Sequence, residues 1–241
     1  MKPTVILLCA YSTMSACIYN EELSEMTISN TTEEEIEIKY TMPNIISSEE
    51  TYEYPCIPNE AFAKVQICIK NQIPDLHLVV TGIKICNICL TGTYHPATEH
   101  QTDYWETDTT KASLTIETKQ LEVGYNEETL IPNRGSISFV PQTTKAWDTS
   151  ELPDKNDQCY LLMNCKIYQS DTKERVWNAP NDTCTEVAIP LSIHLQSNIK
   201  TLIVLNMAPN CPWYEISDTH PHALFTPITF DASVENWKTK S

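Results

Sequence analysis

Leu161-Leu162-Met163-Asn164-Cys165-Lys166-Ile167 sets Leu161, Met163, Cys165 and Ile167 at every second position, with Asn164 and Lys166 between them. Successive side chains of an extended chain point to opposite sides, so this spacing predicts a strand with one buried and one wet face. The same period of two recurs in Ile36, Ile38 and Tyr40, in Val65, Ile67 and Ile69, and in Val187, Ile189, Leu191 and Ile193. An amphipathic helix needs a period between three and four, which is nearly absent from the chain. The expected class is therefore all-β, with antiparallel sheets packed as sandwiches.

The segments between these runs are built from Pro, Asn, Asp and Thr, as in Pro141-Gln142-Thr143-Thr144 and Pro153-Asp154-Lys155-Asn156-Asp157. With only four glycines, tight turns must rely on Asn and Asp, which tolerate left-handed backbone better than other side chains do. Thr81–Leu90 and Thr201–Met207 are apolar on both faces and are expected to be central strands. Pro190 lacks a donor for a ladder and marks an edge strand or a bulge. The acidic stretch Thr27–Glu50 reads as a solvated lead-in plus one strand. Glu127-Glu128 separates two strand clusters of similar size, so two sandwiches in tandem are expected, residues 17–127 and 128–241.

The formal charge is −16, and Arg134 and Arg175 are the only arginines. No basic stripe is available to neutralise phosphates, which excludes nucleic acid as a partner. Residues 1–16 have the makings of an export signal: Lys2, an apolar run from Val5 to Tyr11, then Ser12, Ser15 and Ala16. The run is too short to span a bilayer. Met14-Ser15-Ala16-Cys17 resembles a lipobox, in which small residues before a cysteine fit the lipoprotein signal peptidase and the Cys17 thiol takes up a diacylglycerol. Ordinary cleavage after Ala16 is the alternative reading. Lipidation would leave the N-terminal lipid as the only membrane contact.

After Cys17 the cysteines are Cys56, Cys68, Cys86, Cys89, Cys159, Cys165, Cys184 and Cys211. In an exported protein eight such residues suggest disulfides of undetermined pairing. In an anaerobic niche they would be buried thiols acting as small hydrophobes. Cys86-Asn87-Ile88-Cys89 could begin a zinc site, but no second Cys-x-x-Cys follows and neighbouring strand positions aim the two thiols apart. His220-Pro221-His222 is more economically a surface loop than a ligand pair. No catalytic motif or glycine-rich phosphate loop is present, so no enzyme activity and no cofactor are expected. Trp105, Trp147, Trp177, Trp213 and Trp237 could stack on sugars, although core and strand-end anchors are the commoner use of such rings.

Four stretches, in order, resemble the fimbrillin family of pilus subunits and related surface lipoproteins. The first is Val80-Thr81-Gly82-Ile83-Lys84-Ile85 with Gly92-Thr93-Tyr94-His95-Pro96-Ala97-Thr98 and Trp105, similar to that family's strand, Gly-Thr-Tyr turn and tryptophan. Then come the strand from Ile137 through Pro141-Gln142 to Asp148, the segment Val187–Ser192, and Pro227-Ile228-Thr229-Phe230-Asp231-Ala232-Ser233-Val234-Glu235-Asn236-Trp237, which looks like the family's terminal strand.

The resemblance implies two transthyretin-like antiparallel sandwiches in tandem. It also implies a structural or accessory role in surface fimbriae that support adhesion, at the cell outer membrane, with other fimbrial subunits as partners through donor-strand exchange. A non-polymerising surface lipoprotein that binds a glycan or protein ligand is the alternative. In the terminal segment Ile228, Phe230, Ala232 and Val234 share one face, which suits a donated strand and equally suits the last strand of the chain's own sheet. Cys17→Ser is expected to abolish fatty-acid labelling and leave unprocessed precursor; an unmodified Cys17 N-terminus in the native protein, read by mass spectrometry, contradicts lipidation.

Overall fold

The computed structural model describes residues 25–32, 35–47, 57–153, 157–176, 184–209, 211, 213–216 and 221–224. Seventeen strands lie among them. In chain order these are β1 (Glu25–Thr32), β2 (Glu35–Thr41), β3 (Ile45–Ser47), β4 (Ala63–Asn71), β5 (Leu76–Ile88), β6 (Thr91–His95), β7 (Tyr104–Thr107), β8 (Ala112–Val123) and β9 (Glu128–Ile131). They continue with β10 (Ile137–Phe139), β11 (Gln142–Thr143), β12 (Tyr160–Gln169), β13 (Thr185–Pro190), β14 (His194–Leu195), β15 (Lys200–Met207), β16 (Tyr214–Ile216) and β17 (Pro221–Ala223). Among the described residues the one helical element is a 3-10 turn, Asn59–Ala61. The chain is all-β, as its alternation predicts.

The largest sheet has seven strands in the order β17-β16-β13-β12-β5-β8-β3. A second sheet is built on β4, with β9 and β10 along one edge and β15 along the other. One continuous apolar cluster joins the two. It takes Val65, Ile67 and Ile69 from β4 and Ile203, Leu205 and Met207 from β15, together with Leu161, Met163, Cys165 and Ile167 from β12 and Val187 and Ile189 from β13. Every alternating residue quoted above from β4, β12 and β13 is therefore in the core. Burying a side chain of this size is worth about 1.5–3 kcal/mol, so the set dominates the stability.

The four-stranded sheet β1-β2-β6-β7 extends the assembly. Here the acidic lead-in departs from expectation: β1 pairs with β2 over its length, where a solvated approach and a single strand were expected. Thr27, Ile28, Thr31 and Thr32 are β-branched, which favours the extended state over a loose coil. Gly92-Thr93-Tyr94, a turn by resemblance, lies instead inside β6. A Cβ on Gly92 would stand 2.9 Å from Val140 Cγ1, 3.1 Å from the Glu106 carbonyl and 3.2 Å from Trp105 Cε3. The glycine serves close packing rather than chain reversal.

Asn and Asp do supply tight turns: Asp75, Asn126 and Asn198 have φ of 63°, 59° and 59°, and Asn87, with φ 60°, takes the same conformation at an irregularity inside β5. Asn71, fully buried, ties two turns together. Its Nδ2 donates to the Leu76 and Val123 carbonyls at 2.7 and 3.3 Å, its Oδ1 accepts from the Ile73 N–H at 3.0 Å, and its carbonyl accepts from the Asn126 N–H at 2.8 Å.

Two sequence expectations about topology are corrected by the pairing. First, not every pair is antiparallel: β4 and β15 run parallel from Lys64↔Lys200 to Asn71↔Met207, and β3 runs parallel to β8. Second, Glu127 ends the turn between β8 and β9 and Glu128 opens β9, and strands from the two sides of this point share sheets. β4 is paired by β9, β10 and β15, and β5 by β12. Ile85, in β5, has no exposed surface, so Ile85→Ala should cost about 2–5 kcal/mol. Because its sheet draws on both halves, thermal unfolding is expected as one cooperative transition that the substitution lowers as a whole; two transitions, with only one displaced, contradict the shared core.

Candidate functional site

Of the residues singled out for function in the sequence, Cys17 and the terminal face Ile228, Phe230, Ala232 and Val234 lie outside the described residues, as do Cys56, His220, Trp177 and Trp237. Trp105, Trp147 and Trp213 are placed, and all three are structural. Trp105 donates its Nε1–H to the Ala61 carbonyl at 2.7 Å and packs against Phe62, Tyr94 and Tyr40 with ring centroids 5.3, 5.4 and 6.1 Å away. Trp147 and Trp213 are buried.

The seven described cysteines are unbridged, and all but Cys184 are buried. The disulfide expectation fails for these seven, and they fit the reading as small hydrophobes. Burial raises the pKa of Cys68, Cys89 and Cys211, and pushes Cys159 up to about 11 and Cys165 up to about 12. Thiols held protonated in this way are poor nucleophiles and poor metal ligands at neutral pH. Among the described residues no three of His, Cys, Asp and Glu come together as a metal site.

Two surface features remain. The first is the outer edge of β15. The carbonyls of Ile199 and Met207 accept from the N–H groups of Lys64 and Gln72 at 2.9 and 2.8 Å, so odd-numbered positions direct their backbone groups at β4. Residues 202, 204 and 206 direct theirs the other way. Among the described residues no strand pairs on that side. Leu202 and Val204 are 50% and 48% exposed beside it, with Ile199 at 48%. Val204, Cys68 and Leu130 stand in register on one face of the sheet, giving an apolar row that ends at the free edge. Thr201–Met207 was expected to be a central strand because of its two apolar faces; among the described residues it lies at a sheet edge, with Leu202 and Val204 exposed on its second face.

The second feature is a groove of ≈ 450 Å³ on the outer face of the seven-stranded sheet, lined by His77, Val79, Thr81, Gln120, Glu122, Lys166, Tyr168, Lys173 and Cys184. Cross-strand register arranges its floor: Lys166, Val79 and Glu122 form one row, and Tyr168 and His77 are neighbours in the next. His77 Nε2 is 3.5 Å from Glu122 Oε2. The groove lies where irregularities coincide. Thr81 is an extra residue in β5 against β12, and residues 118–120 bulge from β8 opposite it. The Thr81 hydroxyl is 3.2 Å from Cys184 Sγ, as donor. Bulges of this kind re-aim side chains and gather beside functional sites.

None of the groove residues was singled out from sequence for a function. The only available signal was parity, since His77, Val79 and Thr81 alternate with Leu78 and Val80, and Lys166 and Tyr168 with Cys165 and Ile167. No family model, curated protein or solved structure matches the chain.

The thiols supply a direct check on the placement of the core. In the folded protein Cys184 is expected to alkylate fastest of the seven described cysteines, with Cys159 and Cys165 modified only as the chain unfolds. Pulse labelling read by peptide mass spectrometry measures this, and Cys165 reacting as fast as Cys184 contradicts the burial. Cys159 and Cys165 hold their protons more tightly folded than unfolded. They therefore contribute stability that is complete below the ordinary thiol pKa of 9.0 and is lost as pH rises through about 11 and about 12.

Proposed function

We propose that the chain is a structural subunit or accessory protein of bacterial surface fimbriae, delivered to the outer membrane as a lipoprotein through Cys17 and assembled by β-strand donation to support adhesion. The observation that carries this reading is the edge of β15, which no strand among the described residues pairs, with the exposed side chains of Leu202 and Val204 beside it. An open strand edge is a template for another chain, and a donated strand meets both needs at once, pairing the backbone groups and covering the apolar row. The complementary element is Ile228-Thr229-Phe230-Asp231-Ala232-Ser233-Val234, whose apolar residues all fall at even positions.

The order and content of the four fimbrillin-like stretches support the same reading. The finer architecture that goes with it, transthyretin-like sandwiches in tandem, enters the proposal only in the form that the pairing allows. β4 and β15 come from opposite sides of Glu127-Glu128, so both halves of the chain build the sandwich that holds the acceptor edge. A second reading, a non-polymerising surface lipoprotein that binds a glycan or protein ligand, is favoured by the polar groove on the opposite sheet.

The occupant proposed for the edge is the terminal segment of a neighbouring copy. Phe230→Asp would place a charge against the apolar row, and an unpaired buried charge is strongly unfavourable. With donation, Phe230→Asp leaves monomer stability within about 0.5 kcal/mol, the usual range for a surface position, and abolishes filaments in electron microscopy. Asp231→Asn, on the opposite face, is silent in both. A large fall in the monomer's melting temperature places the segment in the chain's own sheet instead, and filaments unaffected by Phe230→Asp remove the segment from assembly.

A further inference from the structure

We propose that the groove on the outer face of the seven-stranded sheet binds a carboxylate-bearing saccharide. This rests on the second reading above, that the folded body meets ligands outside the cell, and it does not depend on assembly.

The groove offers three kinds of contact within one volume of ≈ 450 Å³, inside the usual range of small-molecule sites, roughly 300–1,000 Å³. Tyr168 and His77, cross-strand neighbours, give flat ring faces, and Val79 gives an apolar floor between them and the next row. A pyranose ring carries a C–H face that packs on such surfaces, with its hydroxyls left at the edge. Gln120, Glu122, Thr81 and His77 then supply donors and acceptors to those hydroxyls from β5 and β8. Lys166 and Lys173 supply positive charge from β12 and the turn after it.

The charge decides the class of sugar. A chain of net charge −16 repels an acidic ligand almost everywhere on its surface. Among the described residues that line the groove, Lys166 and Lys173 are the cations and Glu122 the anion. An ammonium beside a carboxylate makes a charge-assisted hydrogen bond, about twice as strong as a neutral one. Phosphate is disfavoured, because Glu122 faces the same space and the described lining residues offer lysines without the forked guanidinium that multiply charged groups select. An apolar ligand is disfavoured because seven of the nine described lining residues, all but Val79 and Cys184, carry an O or N group at the tip. The coincident bulges at Thr81 and residues 118–120 create the concavity that an unbroken sheet face lacks.

The test uses the full chain on a glycan array carrying oligosaccharides of uronic acids and of sialic acid beside their neutral counterparts. Binding of at least one carboxylated saccharide is expected, at least tenfold tighter than its neutral counterpart and weakening as salt is raised. Lys166→Gln should remove that preference, and Tyr168→Ala should weaken both forms tenfold or more; both substitutions lie on a solvent-facing surface, and circular dichroism confirms that the fold is kept. Binding only to neutral sugars, or to no carboxylated saccharide, overturns the proposal. Acidic-sugar binding that survives both substitutions also overturns it for this groove while leaving a surface ligand elsewhere. Each result is independent of filament formation, so failure here is distinguishable from failure of the fimbrial reading.

Discussion

β5 is thirteen residues long, and each of its edges presents backbone donors and acceptors that cannot be left unpaired in a core. One edge is met by β8, from before Glu127-Glu128, and the other by β12, from after it. β4 carries the same demand in the facing sheet and meets it with β9, β10 and β15 from the later half. Once these two strands are paired, their inward faces close on one another, and each of the two sheets draws strands from both halves of the chain. The arrangement costs long-range loop closure, and its contacts are far apart in sequence, as is typical of slow-folding β topologies.

The class of fold was legible because period two is a local property: Leu161, Met163, Cys165 and Ile167 point the same way whatever strand lies beside them. Pairing was not, since nothing in Lys64–Asn71 specifies a parallel partner at Lys200–Met207. The expected division at Glu127-Glu128 failed for the same reason, because equal numbers of strands on two sides of a turn do not require two separate bodies. At Thr81–Leu90 the expected central strand is present, since β5 lies between β12 and β8, but its apolar residues on both faces have a further cause. Leu78 and Val80 face the core, but the bulge at Thr81 moves the buried set to Ile83 and Ile85, and the irregularity at Asn87 moves it again to Ile88. Read as an unbroken strand, that sequence looks apolar on both faces. Thr201–Met207 looked central for a different cause: Leu202 and Val204 form an outward apolar face that is left open. Pro190 was expected to mark an edge strand or a bulge, and instead lies in β13, which sits between β12 and β16. It closes β13 opposite Tyr160, beyond Val187 and Ala188, where β16 pairs.

The two surface features follow from the same frame. Pairing β15 to β4 in parallel leaves its far edge without a partner among the described residues, and the apolar Leu202 and Val204 flank it, with the charge of Lys200 at one end only. On the other sheet, the register steps that let β5 fit between β8 and β12 open a polar groove. One feature suits a strand and the other a small polar ligand, and they lie on different sheets, so assembly and ligand binding do not compete for the same residues. Their chemistry was hidden in the sequence, where outward residues of β5, β8 and β12 are about 30 or more positions apart and meet only through register.

Native-state hydrogen exchange on the full chain tests the shared core most directly. Amides of β4 and β5 should exchange at the slowest rate in company with those of β12 and of the β15 positions that face β4, all limited by one global opening. If the amides of β9 to β15 form a protected unit that opens separately from β4, β5 and β8, with its own free energy, the two halves are independent and the shared core is refuted.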